Sequence, residues 1–186
     1  MSDDNEKALP RIHGVKPVCN SRLFHVEQVQ LEFSNGQQCS YERVHSGGGA
    51  VLIVAMPDDD HVFLVREYAV GTERYELGFP KGRMEPDESP VHAARRELAE
   101  EVGFSARRLD YLQSLTVAPG YFSHLTHLVL ARDLYPDTAE GDEPEPLEVV
   151  KWRLSELPEL LEREDFSEAR SIAALFLVRQ YLEKQN

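Results

Sequence analysis

The sequence predicts an α+β fold in which helices cover a mixed β-sheet. Short apolar runs bounded by Gly, Pro, Asn or Asp recur along much of the chain, as expected of buried strands. Two longer segments, 90–102 and 167–184, instead carry apolar residues at helical spacing. With 186 residues, of which 41% are hydrophobic, the chain can bury one core of ordinary size.

The N-terminal part predicts a β-hairpin. Residues 1–20 are polar and interrupted by Pro and Gly, so we expect them to be irregular. The runs 23–33 and 37–45 flank Asn35-Gly36, a dipeptide that tolerates positive φ and is typical of tight turns between antiparallel strands. This part of the chain therefore predicts two paired strands.

The next segment predicts two strands and a helix. The apolar run 50–56 is too short for a helix, which indicates a buried strand, and 61–68 follows as its hairpin partner. Ser89 suits the N-cap of a helix and Gly103 suits the left-handed residue after its end. We therefore expect a helix over 90–102.

The C-terminal half predicts further strands at 109–117, 125–131 and 147–153, with an acidic, Pro-rich loop before the last of them. The helix 167–184 presents a broad apolar face, formed by Ile172, Leu175, Phe176, Val178 and Leu182. We expect residues 1–45 to form an N-terminal extension with an antiparallel hairpin, and residues 46–186 to form the main domain.

The bulk charge excludes two classes of partner. Twenty Lys and Arg against 33 Asp and Glu give a formal net charge of −13, which repels nucleic acids and anionic membranes. Cys19 and Cys39 provide neither a disulfide framework nor the spacing of zinc ligands. No apolar stretch approaches the ~18 residues of a membrane span. We therefore expect a cytoplasmic protein that binds neither nucleic acid nor membrane.

Three carboxylates are predicted to lie on one side of the helix 90–102. Glu97, Glu100 and Glu101 are at i, i+3 and i+4, which makes them neighbours on a helix surface. They could form a solvated acidic face, but like charges so close destabilise a helix unless cations are near. Hard oxygen ligands gathered on one face are what Mg²⁺ or Mn²⁺ requires. The pattern therefore favours a divalent-metal site.

The interval 82–104 carries a motif of high specificity. Its fixed positions are Gly82, Glu88, Arg96, Glu97, Glu100, Glu101 and Gly103. This spacing resembles the Nudix box, Gly-x5-Glu-x7-Arg-Glu-U-x-Glu-Glu-x-Gly-U, in which U is a bulky aliphatic residue. All seven fixed positions match, and only Phe104 departs from the pattern, in the last U position. The resemblance implies the Nudix α/β/α sandwich and a metal-dependent pyrophosphohydrolase.

Segments outside the box indicate which branch of the Nudix family the chain resembles. Residues 64–68, 75–77 and 118–120 are similar to ADP-ribose pyrophosphatases, and residues 141–146 resemble the bacterial ADP compounds hydrolase branch. This branch implies cleavage of ADP-ribose, NADH or short diadenosine polyphosphates to AMP and the other phosphorylated half. The Phe-Pro-Lys-Gly segment at 79–82 also occurs in diadenosine polyphosphate hydrolases, which are one alternative. A non-catalytic metal- or nucleotide-binding module is the other.

The resemblance further implies roles for individual residues. The carboxylates of Glu97, Glu100 and Glu101 would bind the metal, together with a backbone carbonyl of the preceding loop at Lys81-Gly82. Glu88 and Arg96 would support them. Substrate contacts would come from Arg66, Glu67 and Glu76. Tyr41 and Arg43 match a region that, in ADP-ribose pyrophosphatases, belongs to a swapped N-terminal sheet reaching the other subunit's site, which implies a homodimer.

The general base stays open among three glutamates. Some Nudix enzymes take the base from a mobile loop outside the box. Here the acidic segment 141–146 lies between two predicted strands and could supply it. We expect Glu143, with Glu145 as the neighbouring candidate, and the box residue Glu100 as the third. A solvated acidic loop is the alternative interpretation of the same residues.

Overall fold

The structure is a computed structural model that describes residues 7–141 and 143–185. The chain divides into two compact units. The first comprises the described residues up to Gly47 together with Ala118–His124, and is called here the N-terminal unit. The second comprises Gly48–Val117 and the described residues from Leu125 onward, and is called the main unit.

The N-terminal unit contains a three-stranded antiparallel sheet in the order β1-β2-β3, formed by Arg11–Asn20, His25–Glu32 and Gln38–His45. The predicted hairpin at Asn35-Gly36 is confirmed, since β2 pairs with β3 and Gly36 has a φ of 79°. The expected irregularity of residues 1–20 is wrong for Arg11–Asn20. Register shifts next to Gly14 and Pro17 let this edge strand pair with β2 despite both residues. Residues 1–6 lie outside the described chain.

The main unit contains a mixed sheet, which confirms the predicted fold class. Its strands are β4 (Ala50–Asp58), β5 (His61–Ala69), β6 (Arg74–Gly78), β7 (Lys81–Arg83), β8 (Phe104–Thr116), β9 (Leu125–Pro136) and β10 (Glu148–Arg153). The main path is β10-β5-β4-β9-β8, with β6 paired to β5 and β7 paired to β4. The β4–β9 pair is parallel, and the other pairs are antiparallel.

Helices lie on both faces of this sheet: α1 (Pro90–Glu101), α2 (Leu157–Leu161) and α3 (Ala169–Glu183), with a 3₁₀ turn at Leu154–Glu156. Alternate residues of β4 enter two separate cores, because side chains along a strand point to opposite faces. Ile53 packs in the core that contains α1, whereas Leu52 packs in the core that contains α2 and α3. Burial on both faces explains why the run 50–56 is apolar throughout.

The helix signals are confirmed for α1 and corrected in part for α3. The Ser89 hydroxyl accepts a hydrogen bond from the backbone N–H of His92 at 3.3 Å, and Gly103 has a φ of 76°. In α3 the buried face is formed by Ser171, Ala174, Leu175 and Val178. Phe176, expected on that face, is 56% exposed because it lies on the opposite side of the helix. Among the described helices, none is both long and apolar enough to cross a bilayer.

Candidate active site

A cleft of about 230 Å³ in the main unit is lined by carboxylates from two elements. One wall is α1, and the other is the segment that leads into β10, called here the acidic loop (141–147). The residues that line the cleft are Glu97, Glu100, Glu101, Gly141, Glu143, Pro144, Glu145, Pro146 and Leu147. The structure thus brings the box glutamates and the two loop glutamates to one place. Asp142 of this loop lies outside the described residues.

Gly82 allows α1 to approach β7 closely. The strand β7 pairs with β4, and Gly82 lies opposite Val51. In this position Gly82 lies directly against the carboxylate of Glu97. A Cβ atom at position 82 would lie 1.9–2.1 Å from the carboxyl atoms of Glu97. Only glycine leaves the Glu97 carboxylate where it is, since no other residue lacks a Cβ.

Arg96 neutralises the acidic side of α1. Its Nη1 atom donates to Glu97 at 2.7 Å and to Glu100 at 3.2 Å. Its Nε and Nη2 atoms donate to the two carboxylate oxygens of Glu88 at 3.2 and 3.0 Å, and Nη2 also donates to the carbonyl of Arg83 at 2.9 Å. The bidentate bond from Arg96 lowers the pKa of Glu88. One guanidinium therefore connects three carboxylates and the end of β7.

Glu101 is a largely desolvated carboxylate. Burial raises its pKa to about 8, although the charge of Lys81 and a hydrogen bond from the Lys81 backbone N–H at 3.2 Å oppose the increase. Glu97 and Glu67 raise the pKa further by repulsion. The Lys81 side chain binds Glu67, with 2.9 Å between Nζ and Oε2. Burial lowers the pKa of Lys81, but the charge of Glu67 and its hydrogen bond, together with the charges of Glu168 and Glu101, outweigh this effect and the net shift is upward.

The donor set of this cleft fits a hard divalent cation. Glu97, Glu100 and Glu101 offer only carboxylate oxygens, the ligand type preferred by Mg²⁺ and Mn²⁺. The burial of Glu101 near other carboxylates disfavours its charged form despite Lys81, and a divalent cation would favour that form. Across residues 7–141 and 143–185, no three acidic, His or Cys side chains already converge as ligands would. Two of the three glutamates, Glu97 and Glu100, accept hydrogen bonds from Arg96 instead.

The predicted substrate residues of the main unit lie on the β5–β6 hairpin. Arg66 binds Glu148 and Asp165, Glu67 binds Lys81, and Glu76 accepts hydrogen bonds from Arg74 and Ser167. Each of the three is therefore held by an oppositely charged side chain. They do not appear among the described residues that line the cleft. Their role in substrate binding stays a prediction.

Tyr41 and Arg43 lie on β3, in the N-terminal unit. Arg43 donates to Glu27 on β2, with 3.0 Å between Nε and Oε2, and Tyr41 is half exposed. Both residues stand on a paired strand, as the predicted hairpin requires. Their contribution to a site of a second subunit stays a prediction.

The structure adds residues that sequence reasoning missed. The Tyr75 hydroxyl on β6 donates to Glu145 at 2.6 Å, across 70 residues of sequence. On α3, the buried Ser171 hydroxyl accepts from the Phe79 backbone N–H at 3.2 Å and donates to Glu168 at 2.6 Å, which supports the segment before Gly82. A polar Ser on the apolar face of a predicted helix was the only available signal. Nothing in the sequence around Tyr75 indicates its contact with Glu145.

Comparison with known proteins assigns the family. The NUDIX domain model matches residues 48–176, and the model of the NudE-type Nudix hydrolase N-terminal domain matches residues 10–43. The chain is 53% identical over 176 residues to ADP compounds hydrolase NudE of Escherichia coli strain K12, covering 95% of each protein. It is 31% identical over 161 residues to ADP-ribose pyrophosphatase of Bacillus subtilis strain 168, covering 86% of this chain and 83% of that protein.

A solved structure agrees with these matches. The crystal structure of an ADP compounds hydrolase aligns with a TM-score of 0.90 and 54% sequence identity, covering 97% of this chain and 98% of that chain. The family model spans well over half of the sequence, and it includes the complete box and both walls of the cleft. This chain belongs to the Nudix hydrolase family.

Proposed function

We propose that this Nudix hydrolase cleaves the diphosphate linkage of ADP compounds, namely ADP-ribose, NADH and short diadenosine polyphosphates, with Mg²⁺ or Mn²⁺ as cofactor. The products are AMP and the other phosphorylated half. The observation that carries the proposal is the cleft lined by box glutamates on one wall and loop glutamates on the other. The names of the relatives, ADP compounds hydrolase and ADP-ribose pyrophosphatase, support the substrate class.

The chemistry requires positive charge in an acidic site. A diphosphate carries negative charge that repels an attacking oxygen, and this chain has a formal net charge of −13. When bound, Mg²⁺ or Mn²⁺ neutralises phosphate oxygens and makes water a better nucleophile. Glu97, Glu100, Glu101 and the backbone carbonyl of Lys81 or Gly82 would hold the cation.

Arg96 and Glu88 would orient the ligands. The bidentate Arg96–Glu88 pair fixes the guanidinium, which in turn restricts the Glu97 and Glu100 carboxylates. Groups that position metal ligands commonly change metal affinity about 10–100-fold when they are removed. This arrangement preorganises the helix wall of the cleft for its cation.

A carboxylate on the opposite wall would accept the proton of the attacking water. Glu143 and Glu145 line the cleft from the acidic loop, and Glu100 faces them from α1. We propose Glu143 as this general base. Single Gln substitutions at the three positions test the choice, because loss of a general base lowers kcat by about 10²–10⁴-fold. A large loss at Glu100, with neither loop variant losing about tenfold, would return the base to the box.

The substrate class is tested by incubating the protein and Mg²⁺ with ADP-ribose, NADH, diadenosine polyphosphates and dGTP, and by separating the products chromatographically. We expect AMP from each ADP compound and little turnover of dGTP. Preference for diadenosine polyphosphates would support the alternative that the Phe-Pro-Lys-Gly segment at 79–82 suggests. No turnover of any compound would indicate a non-catalytic nucleotide- or metal-binding module.

We also propose that the protein is a homodimer in which the N-terminal sheet contributes to the interface. Almost all of β1 is exposed, and large apolar residues of the N-terminal unit are open to solvent, among them Ile12, Val15, Val18, Leu23, Phe24 and Tyr41. A second copy would cover such a surface. Light scattering is expected to give the mass of a dimer, and a monomer at micromolar concentration would refute the proposal. The expected cytoplasmic location stays a prediction.

A further inference from the structure

The acidic loop is attached to the rest of the main unit on both sides of Glu143. Before it, the Ala139 backbone N–H donates to the carbonyl of Ala99 on α1 at 3.2 Å. After it, Glu145 accepts a hydrogen bond of 2.6 Å from the Tyr75 hydroxyl. Further along, Glu148 at the start of β10 binds Arg66, with 3.0 Å between the charged atoms. Glu145 is thus an attachment point two residues after Glu143.

The Tyr75 ring is itself held in place. Tyr75 lies opposite Tyr68 in the β5–β6 register, and the two rings meet edge to face with centroids 5.5 Å apart. The paired strands and the neighbouring ring restrict the rotamer of Tyr75, so its hydroxyl has a defined position. The bond to the Glu145 carboxylate also raises the pKa of Tyr75, as expected when a phenol donates to an anion.

Two prolines couple the position of Glu143 to that of Glu145, because they restrict the backbone between the two residues. Pro144 and Pro146 each follow a glutamate, and a residue before proline is largely excluded from the helical region. Each proline also has a fixed φ near −65°. The backbone between Glu143 and Glu145 therefore has few conformations, and anchoring Glu145 limits where the Glu143 carboxylate can point.

We propose that Tyr75 is a positioning residue, whose hydroxyl anchors Glu145 and thereby holds the acidic loop with Glu143 directed into the cleft. The inference rests on the proposed function, in which Glu143 is the general base. It assigns different tasks to the two loop glutamates: Glu143 accepts a proton, whereas Glu145 fixes the loop through a hydrogen bond.

The matched variants are Tyr75→Phe and Tyr68→Phe, each of which removes one hydroxyl and keeps the ring. Both residues are about half exposed, so neither variant leaves a cavity in the core. For Tyr75→Phe we expect kcat for ADP-ribose to fall about tenfold while KM changes little, because misplacing a reacting group affects the reaction more than binding. For Tyr68→Phe we expect kcat close to that of the wild type.

Variants of Glu145 separate an anchor from a base. Glu145→Gln still accepts a hydrogen bond through its amide oxygen, so it should lose less activity than Glu145→Ala, which should fall about as far as Tyr75→Phe. The double variant Tyr75→Phe/Glu145→Ala should fall no further than either single variant. Equal losses in Glu145→Gln and Glu145→Ala, with additive losses in the double variant, would overturn the proposal.

Hydrogen exchange tests the anchor without using activity. In Tyr75→Phe the backbone N–H groups of Ala139, Glu143, Glu145 and Leu147 should exchange faster than in the wild type, while those of α1 should not change. Unchanged exchange in the acidic loop would overturn the proposal even if activity falls. If the wild-type protein cleaves none of the tested compounds, the proposed function fails, and hydrogen exchange still decides whether Tyr75 holds the loop.

Discussion

The two walls of the cleft are held in different ways. On α1, Arg96 binds Glu97 at the next position and Glu100 at i+4, so all three groups belong to one helix, and its geometry makes Arg96 and Glu100 neighbours. On the acidic loop, Glu145 is bound by Tyr75, which is 70 residues away. Backbone hydrogen bonds give a helix its geometry locally, whereas a loop takes its position from distant contacts. Apart from the general base itself, we therefore expect substitutions on the helix wall to have larger effects than substitutions of the contacts that hold the loop.

On the helix wall, the largest effect is expected for a metal ligand. Glu101→Gln keeps the shape of the side chain and removes its charge, and kcat at saturating Mg²⁺ should fall by about 100-fold or more, beyond the loss seen when a supporting group is removed. The control is Glu159→Gln, which makes the same change at an exposed position of α2. Wild-type turnover by folded Glu101→Gln would show that Glu101 is not a ligand.

Next in size is the effect of closing the space between β7 and α1. Gly82→Ala places a Cβ atom within 1.9–2.1 Å of the Glu97 carboxyl group, so that carboxylate must move. We expect kcat to fall about 10–100-fold and the free energy of unfolding to decrease by about 1–3 kcal/mol. Gly71→Ala is the control, because nothing lies within 4 Å of a Cβ built there. Equal effects of both substitutions would contradict this account of Gly82.

A smaller effect is expected for the group that holds Arg96. Glu88→Gln removes the charge that pairs with the Arg96 guanidinium, which leaves Glu97 and Glu100 less well oriented. The Mg²⁺ concentration for half-maximal activity should rise about tenfold, with a lesser change in kcat at saturating metal. Titration of activity with Mg²⁺ measures this, and the exposed Glu85→Gln serves as the control. An unchanged titration would remove Glu88 from the supporting set.

The smallest effect is expected at the ion pairs beside the acidic loop. Hydrogen bonds from Arg163 and Arg66 lower the pKa of Asp165 to about 2, from an ordinary value of 3.8. Because the folded-state pKa is the lower one, Asp165 stabilises the fold above about pH 4, and this contribution is lost as the pH falls toward about 2.

Part of the decrease in Tm on acidification across this range should therefore depend on Asp165. This part corresponds to about 1 kcal/mol of the free energy of unfolding after solvent screening. In Asp165→Asn the Tm should be lower near neutral pH and should decrease less on acidification. Parallel Tm curves for the wild type and Asp165→Asn would show that these ion pairs do not contribute to stability.

Local features were predictable from sequence. The limits of α1 follow from Ser89 and Gly103, which act within one turn of the helix that they bound. The buried strand β4 follows from an apolar run of seven residues, and the spacing of Glu97, Glu100 and Glu101 places them together on one helix. The resemblance assigned Arg96 a supporting role, and the structure pairs it with Glu100 at i+4, a neighbouring position on any helix.

Features that depend on distant residues were not predictable. The strand β1 was missed because Gly14 and Pro17 are unfavourable for a strand by themselves, and pairing with β2 overrides this preference. Ser171 and Phe79 meet across 92 residues, and Arg66 and Asp165 across 99 residues, with nothing in either local sequence to indicate the contact.

The sequence by itself therefore determined the mixed fold, the helix that carries the box and the carboxylates of the helix wall, because helical periodicity and capping operate over a few residues. Only the tertiary structure decided that the acidic loop faces this helix, and that Tyr75 and Arg66 hold its C-terminal side. The physical reason is that a loop without regular hydrogen bonds is placed by side chains that chain folding brings to it. No period or spacing in the sequence records which side chains those are.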